Sequence, residues 1–147
     1  MADLVVVDTG VLQKANAPVS LEARSRSKFA RRLELLVRLK RGDFRVLLSA
    51  ILLAEYGRQV PKPRNDFVRA FFELLSAPGR AILNWCRWSG NIRAYARECR
   101  FPSEDKHVLR TAVCREGSTI LSEERRMLVT DACIHRTLGV HVTDPTI

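Results

Sequence analysis

Apolar and polar residues occur along this chain in blocks that predict strands and helices in alternation. The first block, residues 4–7, is a continuous run of leucine and valine, which is typical of a strand buried on both faces. Comparable short runs predict further strands at residues 44–48, 119–122 and 140–142, whereas residues 81–84, followed by Trp85 and Trp88, fit either a short strand or a packed turn.

The segments between these strands carry apolar residues at helical spacing. They predict helices over residues 21–40, 50–60, 66–75, 91–98, 103–117 and 125–137. Ser49 is placed to cap one helix, and Gly42 and Gly139 to end two others. The alternation predicts a single α/β domain spanning 1–147, with a mainly parallel sheet of four to five strands and helices on both faces.

The chain is strongly basic, with 25 Lys and Arg residues against 16 Asp and Glu and a formal net charge of +9. This charge favours a polyanionic partner such as nucleic acid over a merely solvated basic surface. The longest apolar run, near residues 50–54, is too short to span a membrane, and the amino-terminal segment lacks the basic start of a signal peptide. We therefore expect no membrane association and a cytoplasmic location.

Four cysteines are present, at positions 86, 99, 114 and 133, and none forms a Cys-x-x-Cys pair. A zinc site is not indicated by this spacing. Together with the expected cytoplasmic location, the pattern predicts reduced, buried or half-buried thiols rather than disulfides.

Acidic residues, the minority charge, fall at positions where strands should end or helices should start. Asp8 follows the first strand, Glu124 follows the strand at 119–122, Asp105 lies in a first helical turn, and Glu55 interrupts an apolar helix. These ends meet at the carboxyl edge of a parallel sheet, so the four carboxylates could converge on one Mg²⁺ or Mn²⁺ site. Taken singly, each acid could instead be a turn, helix-dipole or surface residue.

The order and spacing of these segments resemble the PIN-domain family, which includes many small ribonucleases and the toxins of toxin–antitoxin pairs. The resemblance spans essentially the whole chain, and the matching segments are Val6-Val7-Asp8-Thr9, Leu53-Ala54-Glu55, residues 105–112, Ile120-Leu121-Ser122-Glu123-Glu124 and Leu138-Gly139-Val140-His141-Val142.

The resemblance implies a PIN-like three-layer fold and a metal-dependent endoribonuclease that leaves a 5′-phosphate and a 3′-hydroxyl. It implies Mg²⁺ or Mn²⁺ as the cofactor, RNA as the substrate, a homodimer and, for a toxin, an antitoxin partner. The catalytic residues it implies are Asp8, Glu55, Asp105 and Glu124, with Asp8, Asp105 and Glu124 as metal ligands and Thr9, Ser122 and Glu123 in support. Apolar residues of one helix, at positions 67, 71, 72, 74 and 75, also favour a homodimer.

Two positions depart from the family pattern. Glu124 stands where the family usually has Asp, and Arg126 stands where a second acid is usual, so metal binding could be weakened. The alternative is therefore a PIN-like module with a degenerate acid site that binds RNA or protein without cleavage, and a nuclease acting on DNA is a third possibility. A second alignment would use Asp131 in place of Glu124.

Histidine chemistry is not indicated. His107, His135 and His141 are expected to be surface or structural residues, and the sequence has neither a Ser-His-Asp motif nor a Gly-rich phosphate loop.

Overall fold

Five strands form one parallel sheet in this computed structural model, which describes residues 3–19 and 21–147. The strands lie in the order β3-β2-β1-β4-β5, and each neighbouring pair is parallel. Their bounds are β1 Asp3–Val7, β2 Phe44–Leu48, β3 Ala81–Leu83, β4 Thr119–Leu121 and β5 His141–Thr143. The predicted α/β fold with a parallel sheet of four to five strands is confirmed.

Eight helices and one short 3₁₀ turn connect the strands in the described part of the chain. The helices are α1 Thr9–Ala15, α2 Ala23–Arg41, α3 Ala50–Gln59, α4 Asp66–Ser76, α5 Gly90–Glu98, α6 Lys106–Ala112, α7 Arg125–Leu128 and α8 Asp131–Leu138. The 3₁₀ turn, Ser103–Asp105, directly precedes α6.

The helices form a layer on each face of the sheet. The chain moves from β1 outward through β2 to β3, and then crosses back to β4 and β5 on the other side of β1. Because parallel crossovers are right-handed, this reversal puts the helices of the two halves on opposite faces. Helices α2 and α4 pack on each other and on β2 and β3, whereas α6 packs on β1, β2 and β4. The reversal leaves a crevice at the carboxyl ends of β1 and β4, where open α/β sheets bind ligands.

The core lies on both sides of β1. Val6 and Val7 are fully buried, as the continuous apolar run of the first strand predicts. Tyr56 of α3 is also fully buried, and its hydroxyl donates a hydrogen bond to the carbonyl oxygen of Val7. This bond fixes α3 against the carboxyl end of β1, which is also the edge that carries the candidate site.

Several helix ends follow the sequence signals. The Ser49 hydroxyl accepts a 3.2 Å hydrogen bond from the Leu52 amide at the start of α3, and the Asn65 side chain accepts one of 2.9 Å from Val68 at the start of α4. Gly42 and Gly139 end α2 and α8 with φ values of 91° and 72°, in the left-handed region that favours glycine.

Three helical segments differ from the sequence prediction. No helix was predicted for α1, whose apolar positions Val11, Leu12 and Ala15 are few but fully buried. The predicted helix at 103–117 starts as the 3₁₀ turn and ends at Ala112, because Val113 is extended and Cys114 has a φ of 77°.

The predicted helix over 125–137 is two helices, α7 and α8. Between them the amide and hydroxyl of Thr130 both donate to the carbonyl oxygen of Met127, at 3.1 and 2.6 Å. These bonds span three residues and close a tight turn in place of the α-helical ladder. The turn lets Asp131 accept a 2.7 Å hydrogen bond from the Val142 amide in β5.

The cysteine prediction is wrong, because all four cysteines are paired in disulfides. Cys86 is bonded to Cys114 and Cys99 to Cys133, with Cα–Cα distances of 5.9 and 5.4 Å. The partners are 28 and 34 residues apart and meet only in the folded chain, so local spacing carried no sign of them. Disulfides are rare in cytosolic proteins, so this pairing does not support the expected cytoplasmic location, which stays a prediction.

Two further expectations concern surfaces. Within residues 3–19 and 21–147, no helix combines the length and the apolar character needed to cross a membrane. In α4, Phe71 and Leu74 are buried in the core, and Phe67 is 40% exposed. Packing against α2 therefore covers much of the apolar surface that favoured a homodimer, which stays a prediction.

Candidate active site at the sheet switch point

A cleft of about 420 Å³ opens at the carboxyl ends of β1 and β4. All four acids that the sequence singled out contribute to its lining, although they come from separate segments of the chain. The lining residues are Asp8, Thr9, Gly10, Gln13, Lys14, Glu55, Gln59, Asp105, Glu123 and Glu124. Thus the structure brings the predicted acids together, and we refer to this feature as the acidic cleft.

Asp8 follows the last residue of β1 and is 7% exposed. Its Oδ2 accepts a 2.8 Å hydrogen bond from the hydroxyl of Ser122, the first residue after β4. Burial raises the pKa of the Asp8 carboxyl and the Ser122 bond lowers it, while Glu124 and Glu55 add upward shifts. Because the net shift of the Asp8 pKa is upward, ionisation of this carboxyl destabilises the folded protein unless a cation binds beside it.

Ser122 links the two central strands at the site. Its side chain is fully buried, and while the hydroxyl donates to Asp8 its oxygen accepts a 3.1 Å hydrogen bond from the Glu124 amide. This one residue therefore fixes both the first acid and the backbone that carries the last acid. These contacts are of the kind expected if Ser122 supports the site, as the sequence predicts.

Asp105 and Glu124 form a compact group with Glu104, a residue that was not among the predicted ligands. One carboxylate oxygen from each of the three lies within 4.8 Å of the others. Oδ2 of Asp105 is buried and has no hydrogen-bond partner in the described part of the chain. Asp8 lines the same cleft without belonging to this tight group.

The Asp105 carboxyl carries the largest upward shift of any acid in the cleft. Its pKa is raised from 3.8 to about 7, first by burial and then by the hydrogen bond and charge of Glu124, with Asp8 and Glu104 adding to it. Carboxylates crowded in this way cannot all be ionised cheaply, so the group takes up either a proton or a cation near neutral pH.

Glu55 is held from two sides. Its Oε1 accepts a hydrogen bond from the Thr9 hydroxyl, and its Oε2 lies 2.8 Å from Nε2 of His107. The His107 ring N–H is not aligned with that oxygen, so the contact is a close approach rather than a well-formed hydrogen bond. His107, expected to be a surface or structural residue, is nearly buried in direct contact with a predicted catalytic acid.

Glu123 is engaged elsewhere. Both of its oxygens accept hydrogen bonds from Arg32 of α2, at 2.7 and 2.6 Å, and Lys14 lies 3.7 Å away. The Arg32 and Glu123 side chains are only 11% and 7% exposed. A carboxylate fixed in this bidentate pair is not free to replace Glu124 as a ligand.

Arg126, which stands where the family pattern has a second acid, contacts the compact group through Glu104. Its Nη1 lies 2.5 Å from Oε1 of Glu104. The pKa of Glu104 is lowered, first by a hydrogen bond to its own backbone amide and then by Arg126. This exposed ion pair therefore partly neutralises the one member of the compact group that faces solvent.

Asp8, Asp105 and Glu124 share an unusual position. Each is the N-cap residue of a helix, namely α1, α6 and α7, yet none of the three side chains makes a capping hydrogen bond. Capping is the usual structural reason for an acid at such a position, and capping typically stabilises a helix by about 1 kcal/mol. That reason is absent at all three positions, and the three carboxylates line one cleft instead.

Three residues of the site region were missed or misjudged in the sequence. Glu104 and Arg32 were not singled out in the sequence, and His107 was expected to be a surface or structural residue. Their partners lie 22, 91 and 52 positions away in the chain (126−104, 123−32 and 107−55) and are visible only in the fold. Asp131, the alternative fourth acid, instead bonds β5 and is not part of the cleft lining.

Comparison of the sequence with protein-family models finds no match, and comparison with curated proteins finds none. A functional hypothesis for this chain therefore rests on the geometry of the acidic cleft, on charge and on the resemblance of its motifs.

Proposed function

We propose that this protein is a divalent-metal-dependent endoribonuclease of the PIN type, with its active site in the acidic cleft. The observation that carries the proposal is the convergence of Asp8, Asp105 and Glu124 at the switch point between β1 and β4. Three carboxylates that make no capping bonds line one cleft of a protein with a formal net charge of +9. A polyanionic substrate would be attracted by the net positive charge of the whole molecule, and at this cleft it would meet a group of converging carboxylates.

The donor set suits Mg²⁺ or Mn²⁺. It consists of carboxylate oxygens, which these hard cations prefer, and Oδ2 of Asp105 is a buried oxygen without a hydrogen-bond partner among the described residues. Burial and the neighbouring carboxylates raise the pKa values of Asp8 and Asp105, and a bound cation would offset both effects. Asp105 and Glu124 would be the main ligands, with Asp8 completing the site across the cleft.

A cation bound there would polarise the scissile phosphodiester and lower the pKa of an attacking water. Within the chain itself, Ser122 keeps Asp8 and the Glu124 backbone in register for that role. Glu55 is fixed by Thr9 and faces His107, so it is placed to orient the water and to accept its proton at Oε2.

Cleavage of RNA under controlled metal conditions tests the proposal. A labelled single-stranded RNA is incubated with wild type in Mn²⁺, in Mg²⁺ and in EDTA, and then with Asp8→Asn and Asp105→Asn. We expect metal-dependent cleavage that leaves 5′-phosphate ends and that falls by at least about 100-fold in either variant.

Asp66→Asn is the matched control, because Asp66 is exposed on α4 and lies outside the cleft. It should cleave as wild type does. Equal cleavage by wild type and Asp8→Asn would rule the proposal out, and faster cleavage of single-stranded DNA than of RNA would move it to a DNA substrate.

A second candidate, a binding module without cleavage, is favoured by one observation. Arg126 neutralises Glu104 beside Asp105 and Glu124, where the family pattern has an acid. If the Arg126–Glu104 ion pair keeps the site from holding a metal ion, wild type binds RNA without cutting it. The Arg126→Asp variant, which restores an acid, would then gain metal binding or cleavage that wild type lacks.

A further inference from the structure

A second recess, of about 460 Å³, lies beside the acidic cleft and carries the opposite charge. It is formed by α5, the 3₁₀ turn and part of α7. Its cations are Arg93, Arg97, Arg100, Lys106 and Arg126, and none of the described residues that line it is acidic. We call this feature the cationic recess.

The cations of the recess are concentrated there by the fold. Arg93 and Arg97 are one helical turn apart on α5, so they share a face of that helix. Arg100 follows with a φ of 61°, in the left-handed region, and is held by a hydrogen bond from its amide to the Arg97 carbonyl. A non-glycine residue in this region costs about 1 kcal/mol, so the turn adds a third cation at some expense to stability.

Four of the five cations have no counter-ion among residues 3–19 and 21–147. In the described part of the chain, no carboxylate lies within ion-pair distance of Arg93, Arg97, Arg100 or Lys106. Arg126 is the exception, through its contact with Glu104. Several like charges in one small recess repel one another, and an anion bound among them would relieve that repulsion.

The floor of the recess is rigid. Phe101 and Pro102 are buried beneath it, and the disulfide between Cys99 and Cys133 ties the end of α5 to α8. The backbone that carries the cations is therefore fixed before any ligand arrives, which reduces the backbone entropy that binding has to overcome.

The recess continues into the acidic cleft. The 3₁₀ turn runs from Ser103 in the recess to Asp105 in the cleft, and Lys106 follows directly. On the other side, Arg126 of the recess is two residues from Glu124 of the cleft. An extended strand whose scissile phosphate lay at Asp105 and Glu124 would place its next phosphates over the recess.

We propose that the cationic recess binds the phosphates of the RNA strand next to the bond that is cut. This inference rests on the proposed function for its ligand class. Guanidinium groups bind phosphate oxygens through paired hydrogen bonds, and a row of them follows a nucleic-acid backbone without reading its sequence. Binding at the recess would thus give affinity and set the register of the strand, while the acids perform the chemistry.

Binding of a fluorescein-labelled oligouridylate, measured by anisotropy in EDTA across a series of salt concentrations, tests this assignment. EDTA keeps the RNA intact and makes the measurement independent of any metal. The test variant is Arg93→Gln/Arg97→Gln. The matched control is Lys40→Gln/Arg115→Gln, which also removes two exposed positive charges but near the amino-terminal edge of the sheet.

If two phosphate contacts are lost, the slope of log K against log salt should become shallower by about 1.4, and affinity near 0.1 M salt should fall roughly 10- to 25-fold. The control should keep the wild-type slope. Equal slopes and affinities for the two double variants would overturn the assignment, and this is also the outcome if the recess serves an acidic protein segment.

The two proposals can fail separately. Loss of RNA binding in the recess variant, combined with cleavage that does not respond to Asp8→Asn, would reject the proposed function and keep the recess. Unchanged RNA binding, combined with cleavage lost in Asp8→Asn, would keep the nuclease and reject the recess.

Discussion

The hydroxyl of Ser122 donates a 2.8 Å hydrogen bond to Oδ2 of Asp8 across the boundary between β4 and β1. The two residues are 114 positions apart in the chain, and both are buried. Each follows the last residue of its strand, so the parallel pairing of β1 with β4 is what brings them together. The bond joins the two halves of the doubly wound sheet at the point where the candidate active site lies.

Replacing Ser122 by alanine should impair both stability and metal binding. The change leaves Oδ2 of Asp8 and the Glu124 amide without this partner, which costs about 1–3 kcal/mol of unfolding free energy. It should also weaken Mn²⁺ binding, because Asp8 and Glu124 lose their common anchor. Urea unfolding and a Mn²⁺ titration measure the two effects.

Ser118→Ala is the control for that experiment. Ser118 is also fully buried and donates a 3.0 Å hydrogen bond, but to the Ala112 carbonyl away from the cleft. It should lose stability while keeping the Mn²⁺ affinity of wild type. If both serine variants bind Mn²⁺ like wild type, Ser122 has only a structural role.

The raised pKa of Asp105 predicts how stability depends on pH without metal. Because its pKa rises from 3.8 to about 7 on folding, the folded state favours the protonated form. The contribution of Asp105 is therefore fully present below pH 4 and is lost as the pH rises through about 7. Asp8 acts in the same direction.

Urea unfolding in EDTA at pH 5 and pH 8 checks this dependence. Relative to wild type, Asp105→Asn should lose less stability between the two pH values, since it has no proton to release. Asp66→Asn, at an exposed position, should match wild type. An Asp105→Asn variant with the full wild-type difference would contradict the assigned shift.

The Arg32–Glu123 pair should contribute far more to stability than a surface pair. Arg32→Ala would leave Glu123 nearly buried and without its bidentate partner, and such losses cost about 3–5 kcal/mol. Arg41→Ala, which breaks an exposed pair with Asp43, should cost at most about 1 kcal/mol. Equal effects of the two changes on urea unfolding would show that Glu123 finds another partner.

The two disulfides predict an absence of free thiols in the purified protein. Thiol titration in denaturant should detect none before reduction and four after it. With sequence separations of 28 and 34 between partners, each bond should stabilise the fold by about 3–4 kcal/mol in the chain-entropy view. Four reactive thiols in the unreduced protein would instead support the original prediction.

Much of the fold could be predicted from local pattern. Buried parallel strands need apolar residues on both faces, so residues 4–7 and 44–48 were recognisable without any tertiary information. Helices with clear caps, such as α3 and α4, were also predictable. The break between α7 and α8 was not, because it depends on hydrogen bonds of Thr130 and Asp131 that compete with the helix.

For the candidate site, the strands and helices that carry the acids could be predicted, but the pairing of their side chains could not. Strand ends and helix starts place Asp8, Asp105 and Glu124 at one edge by topology alone. Which carboxylates are free and which are neutralised depends on distant partners. Arg32 engages Glu123, and Arg126 engages Glu104, through contacts that no local pattern shows.

Thermal unfolding with and without Mn²⁺ tests the central claim most directly, namely that the carboxylates of the acidic cleft hold a metal ion. An ion that binds only the folded protein must raise its melting temperature. At a free concentration about 100 times the dissociation constant, the rise should be roughly 5–10 °C for a chain of this size. Wild type and Asp66→Asn should show this rise, whereas Asp8→Asn and Asp105→Asn should show little or none. An identical Mn²⁺ response in wild type and in both cleft variants would contradict the claim.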